Sequence, residues 1–417
     1  MRTGLVTLLA VGCSFHPSLA TDSGTTGGDG GLVGDGGGSM LQPATCAVPA
    51  SLQDNFTEAM PTGWYTATGP GGMVTSGSGD LVLTVSGDMM SAADALAKHN
   101  VNLSGSALEL EVPAVLGGSG VTGLSIGLDQ THYAGFLVAK NNLTSSIIDG
   151  ANKSTHNATY DGSAQLWWRF REASGTLYVE TSPDDATWTA QTSGPTPSWI
   201  AYTRPFVQGY GIGSAGTAQI AQLDTAYTAA PWCAADTLTD DFSGSDLQWL
   251  NETPIYTMAS PCAYTLAAGA ATIVSTMTTC YIGTSYAWDL TGSSVVIEWA
   301  STSAPNMMFQ PAVMLASDTG TPVGVYVNGT QACYPDAATV GTTACITHAF
   351  DPANQDKYWR ISESSGTLTF ESSPDKNTWT TLAHDADPFP MDAVEIRLGA
   401  FAMGSGSGQV VFAGVGD

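Results

Sequence analysis

Three kinds of side chain stand at spacings that chemistry can use. Glu109 and Glu111, in SALELEV (106–112), put two carboxylates on one side of a period-two strand, an arrangement suited to acid–base work. Leu108, Leu110 and Val112 point the other way, so both acids are expected to face water. The second set is aromatic and cationic. Trp167, Arg169 and Tyr178 alternate outward along one predicted hairpin, and Tyr358 and Arg360 repeat the arrangement further on. Flat rings beside planar cations stack on ring ligands, so these five are the candidate ligand-binding residues. The third set is cysteine. Histidines 99, 132, 156, 348 and 384 are scattered without close partners, no G-x-S-x-G stands at a strand-to-helix elbow, and GK, H-E-x-x-H and C-x-x-C are missing from the sequence. No metal centre or cofactor is expected. The turn acids Asp184, Asp185 and Asp375 suit calcium, although Asp is an ordinary turn former there.

Cysteine also bears on address. Met1-Arg2-Thr3-Gly4 and the apolar run Leu5–Val11 form a short export signal within residues 1–20. In one reading Leu9-Ala10-Val11-Gly12 precedes a lipidated Cys13; in the other, cleavage follows Ser18-Leu19-Ala20 and Cys13 is lost with the leader. The Gly/Ser/Asp-rich stretch 21–45 then makes a flexible tether, which favours the lipid anchor at an outer membrane or cell surface over free secretion. Six further cysteines, an even number in an exported chain, predict disulfides. The expected pairs are Cys46–Cys233, Cys262–Cys280 and Cys333–Cys345.

The elements that must carry these residues come in duplicate. WRFREASGTLYVETSPDDATWT (168–189) and WRISESSGTLTFESSPDKNTWT (359–380) agree at 14 of 22 positions without a gap. A repeat this long marks whole domains, placed at 46–231 and 232–417. Both begin alike, with Asp54-Asn55-Phe56 before Trp64 and Asp240-Asp241-Phe242 before Trp249. Period-two runs bounded by Gly, Asn, Asp, Ser and Pro predict short strands and an all-β fold of two tandem β-sandwiches. SAADALAKH (91–99) tempts toward helix, but its counterpart TTCYIGTSYAW (278–288) is β-branched and aromatic, so both are expected to be strand. Within the repeat, Arg169 should meet Glu180 and Arg360 should meet Glu371 across the hairpin.

Charge narrows the partners. Acids outnumber bases 37 to 11, giving a net charge of −26. Such a chain repels phosphate backbones and anionic membrane surfaces, so no nucleic acid is expected and membrane contact only through a lipid.

The repeated W-R-[FI]-x-E-x-S-G-T-L-x-x-E-[TS]-S-P-D-x-x-T-W resembles the concanavalin A-like lectin/glucanase superfamily in its laminin-G-like jelly-roll branch, carried in tandem on bacterial surface lipoproteins. The resemblance implies a curved sandwich whose concave face or rim loops hold carbohydrate, sometimes with calcium. The glucanases of that superfamily use E-x-D-x-x-E, which is missing here; Glu109-Leu110-Glu111 is the nearest approach. The expectation is therefore a protein that is not an enzyme: a surface-tethered pair of lectin-like domains binding glycan or another extracellular polymer. A structural or protein–protein adhesion module is the alternative, and a glycoside hydrolase with an unfamiliar site stands third.

Overall fold

A computed structural model describes residues 46–58, 63–88, 91–225, 227–243, 249–251, 262–276, 280–303, 305, 308–317, 322–328, 331–335, 343–402 and 407–416. Cys13 and the stretches expected to be a leader and a tether lie outside the described residues. Among those described, strands and three short 3-10 turns make up the regular structure, and no helix is long and apolar enough to cross a membrane.

The first copy is a sandwich of two antiparallel layers. Its broad sheet has seven strands in the order Trp64–Thr68, Ser91–Ala97, Arg204–Gly211, Val121–Asp129, His132–Ala139, Asn142–Asp149 and Asn152–Thr159. The facing layer is a five-stranded hairpin sheet, running Thr189–Pro195, Thr176–Ser182, Trp167–Ala173, Ala107–Glu111 and Gln222–Leu223, continued by a three-stranded sheet. The second copy repeats the plan with two seven-stranded sheets. The stretch that tempted toward helix is a strand, Ser91–Ala97, and its counterpart is the strand Cys280–Thr284. Tertiary pairing on both edges overrides the local helical preference of Ala and Leu.

Alternation fills the cores. Trp168, Phe170, Leu177 and Val179 turn inward with Ala93, Ala95, Leu124 and Phe136; Trp359, Ile361, Leu368 and Phe370 do the same in the second copy. The repeated polar residues hold the frame. Asp54 accepts hydrogen bonds from the Phe56 N–H (2.7 Å) and the Trp64 indole (3.2 Å), and Asp240 accepts them from Phe242 and Trp249 (2.7 Å each). Ser174-Gly175 and Ser365-Gly366 form two-residue turns with positive φ at both positions, the geometry that matches strand twist. Glu172 accepts from the backbones of Gly175 and Gly105, and Glu363 from those of Gly366 and Gly292.

The copies touch. The Tyr202 and Tyr286 rings meet at a tilt, 5.7 Å between centroids, the Tyr286 hydroxyl donates to the Ala201 carbonyl, and the Asn100 N–H donates to the Ser285 carbonyl at 2.8 Å. A disulfide joins Cys46 to Cys233 beside that seam. Cys280 and Cys333 are also disulfide-bonded, while the side chains of Cys262 and Cys345 fall outside the described residues.

Candidate functional site

The hairpin sheet brings the predicted ligand residues together but engages them with one another. Arg169 lies between two acids, bonded to Glu180 at 2.7 Å and Glu109 at 3.0 Å, and its guanidinium stacks on Trp188 at 3.8 Å. Arg171 pairs with the same Glu180 at 2.9 Å and lies on the Tyr178 ring at 4.3 Å. In the second copy Arg360 meets Glu371 at 2.7 Å and stacks on Trp379 at 4.1 Å, while Lys357 and Lys376 sit over Tyr358. Trp167 is half-buried at the end of its strand. Burial alone would raise the Glu180 carboxyl, but Arg171 and Arg169 outweigh it and hold it below its ordinary range.

Glu109 needs correcting. It is 4% exposed rather than facing water. Beyond Arg169 it accepts a hydrogen bond from the Tyr227 hydroxyl at 2.7 Å, and, after burial, its charge helps to raise the Asp185 carboxyl. The strand pattern placed it on the outer face correctly. A turn and a chain segment distant in sequence then fold over that face, which period-two reasoning cannot register. Glu111 stays half-buried, so the two acids do not form a matched pair.

Sequence reasoning missed a second cluster on the broad sheet. Ala93, Ala95 and Ala97 enter the core, which puts Asp94 and Leu96 on the opposite face. Register then lays one row across the sheet: Asp94, Gln208, Gly123, Leu137, Thr144 and Asn157. Half-buried Phe206 and Tyr210 stand on either diagonal of Asp94. A Cβ at Gly123 would come within 2.4 Å of the Gln208 amide nitrogen, so glycine there lets that side chain lie flat. Thr144 donates to Asn157 at 2.7 Å, and Ser146 meets Thr155 at 3.3 Å in the next row.

Asp94 is the unusual member. It is 7% exposed, it takes one bond from the Gly209 backbone, and its Oδ1 is buried with no hydrogen-bond partner. Burial pushes its carboxyl up to about 7. The signal available in the sequence was an aspartate inside an alanine-rich strand, where no turn explains it.

The second copy has Tyr281, Gly399, Ala312 and Tyr326 at the first four places of that row. Tyr281 and Tyr326 each pack edge-on to Phe401. One frame thus presents a polar acid-bearing row in the first copy and an aromatic one in the second.

No protein-family profile matches the chain, and no curated protein does. Solved structures similar to it include a Crh5 transglycosylase in complex with NAG, at 15% identity over 44% of this chain and 84% of that one (TM-score 0.33). Others are SCLam, a non-specific endo-β-1,3(4)-glucanase from family GH16, at 9% over 45% and 98% (0.33), and a prokaryotic β-1,3-1,4-glucanase from a mouse hindgut metagenome, at 10% over 43% and 96% (0.33). Each spans under half of this chain. The expectation that the protein is not an enzyme is corrected here: these structures are described as a transglycosylase and glucanases.

Proposed function

We propose that this is an exported carbohydrate-recognising protein, anchored through Cys13, whose first laminin-G-like sandwich holds a polyhydroxylated chain on the outer face of its broad sheet. One observation carries the reading. A buried, unpartnered carboxyl oxygen of Asp94 sits between two half-buried aromatic rings, in a row that continues through Gln208 to Thr144 and Asn157. Rings offer stacking planes to the apolar faces of sugars. Amides, hydroxyls and an acid able to hold its proton offer both donors and acceptors to sugar hydroxyls. Six strands at about 4.8 Å spacing make that row about 24 Å wide, room for several sugar units rather than one.

The activities described for the transglycosylase and glucanases are also on carbohydrate. The hairpin-sheet set Trp167, Arg169, Tyr178, Tyr358 and Arg360 is the competing surface, because its Arg–Trp stacks are duplicated.

Affinity electrophoresis through soluble neutral polysaccharides, with reducing ends assayed in parallel, tests the reading. Asp94→Leu and Phe206→Ala should each weaken retardation at least about tenfold, and Trp167→Ala should leave it unchanged. Retardation that disappears only in Trp167→Ala or Tyr178→Ala would move the site to the hairpin sheet. No retardation by any polysaccharide would end the carbohydrate reading.

A further inference from the structure

One arginine on the broad sheet of the first copy is kept away from every carboxylate, in a chain where acids outnumber bases 37 to 11. Of the five arginines among the described residues, Arg169, Arg171, Arg360 and Arg397 each pair with a glutamate at 2.7–3.0 Å. Arg204 does not. Its Nε and Nη2 donate to the Ala97 and Lys98 carbonyls, at 2.6 and 2.7 Å. Its guanidinium lies over the Tyr65 ring at 5.6 Å, a ring it shares with Lys98. Two backbone bonds and a ring fix the plane of the cation without neutralising it, and they leave Nη1 for the oxygens of a ligand.

Register sets Arg204 in a row of its own. Val207, Ala134 and Phe136 enter the core, so Arg204, Phe206, Gln208 and Tyr133 stand on the outer face. The row runs Arg204, Gly127, Tyr133, Ile148 and Lys153. Half-buried Tyr133 lies midway between the two cations, and Lys153 is exposed on the edge strand. A Cβ at Gly127 would come within 2.8 Å of the Tyr133 Cβ, so glycine there keeps the space between Arg204 and the ring open. Four strand spacings put Arg204 and Lys153 about 19 Å apart, and four residues of strand put their row about 13 Å from the polar row of Gln208. The acids at that end of the sheet are engaged or turned away. Asp129 accepts from the Thr131 N–H at 2.6 Å and its hydroxyl at 2.7 Å, and pairs with His132 at 3.0 Å. Alternation from Ile147 puts Asp149 on the core side.

The second copy differs at this place. Arg204 opens the strand Arg204–Gly211 as Glu395 opens Glu395–Ala402, at the same offset that joins the two duplicated blocks. Glu395 pairs with Arg397 at 2.7 Å. The uncompensated cation thus accompanies the polar row, and an acid stands in its place beside the aromatic one.

We propose that the saccharide lying across this face carries anionic groups, carboxylate or sulfate, which Arg204 and Lys153 take on either side of Tyr133; this rests on the carbohydrate reading of the polar row. A net charge of −26 repels a polyanion, so cations placed on the face decide whether acid groups are admitted or rejected.

Affinity electrophoresis of the intact protein through matched polymers tests it. The set is the neutral polysaccharide that retards the protein best, the same polymer partly oxidised to carboxylates at its primary hydroxyls, and the same polymer partly sulfated. At low salt one acidic form should retard the protein at least about threefold more strongly than the neutral form, and the preference should fade near 1 M salt, where screening acts within about 3 Å. The form preferred names the acid group. Lys153→Gln, on an exposed strand, and Arg204→Gln should each cut the acidic-to-neutral ratio at least about twofold, and the double variant should bring it below one. Lys140→Gln removes the same charge about 23 Å along the strands from that row and should leave the ratio as it was. A ratio at or below one in the unaltered protein, or an equal loss in Lys140→Gln, would overturn the anionic preference while the carbohydrate reading stands. No retardation by any of the three polymers would overturn both.

Discussion

At the scale of single residues, the first copy places several carboxyls where ionisation is penalised, Asp94 and Asp224 among them. Asp94 is isolated on the broad sheet, and its upward displacement comes from burial. Because the folded-state value exceeds the unfolded one, Asp94 adds nothing unfavourable below about pH 4 and costs stability as pH rises toward and past 7. Asp94→Asn should therefore stabilise the protein at pH 8, by roughly 2–4 kcal/mol, with the gain fading to nothing near pH 4. Urea denaturation of both proteins across that range measures it, and a gain independent of pH would mean that the carboxyl is not the titrating group. An aspartate that costs stability at neutral pH is the kind of residue kept for a ligand rather than for folding. Asp184 is the opposite case. Its exposed carboxyl is held below the ordinary range by the backbone N–H groups of Thr187 and Ala186, and Asp375 is held likewise by Thr378 and Asn377. Those turn acids belong to the fold.

At the scale of elements, the duplicated motif is explained nearly residue by residue. Its Trp fills the core, its first Glu ties the hairpin turn to a neighbouring loop, its Arg–Glu pair crosses the hairpin, and its last Trp lies on that Arg. Glu172→Ala and Glu363→Ala should each remove about 1–3 kcal/mol, since both leave half-buried backbone N–H groups unpaired. Chemical denaturation should find similar losses for the two; a silent result in one copy would mean that the loop there has another support. This much was legible in the sequence: alternation gives strand faces, Ser-Gly gives the turn, and Arg169 was matched to Glu180 by cross-strand position alone. The broad-sheet row was not legible. Asp94, Gln208 and Thr144 lie on strands whose sequence order gives no hint that they adjoin, because the closing strand Arg204–Gly211 is inserted between Ser91–Ala97 and Val121–Asp129. The covering of Glu109 by Tyr227 was hidden for the same reason, being a contact over 118 residues of chain.

At the scale of the whole molecule, duplication has been followed by divergence on one frame. The copies are fixed to each other by the Tyr202–Tyr286 contact, by backbone bonds and by the Cys46–Cys233 bridge, whose cysteines stand 187 residues apart. Opening so long a loop should cost roughly 2–5 kcal/mol. Cys46→Ser/Cys233→Ser should show that loss in thermal unfolding, most of it in the transition of the first copy, which the bridge encloses. Equal loss in both transitions would instead mean that the seam, not the loop, is what the bridge secures. With the pair held together, the polar row of the first copy and the aromatic row of the second are presented as fixed, different surfaces.

On the proposed reading, carbohydrate lies along the polar row of the first copy. NMR chemical-shift mapping of the intact protein, titrated with the soluble polysaccharide that retards it best, addresses that claim directly. The largest shifts should fall on Asp94, Phe206, Gln208, Tyr210 and Thr144, with the second copy and the hairpin sheet nearly still. Shifts centred on Trp167, Tyr178 or Tyr358, or on the Tyr281 row, would contradict it.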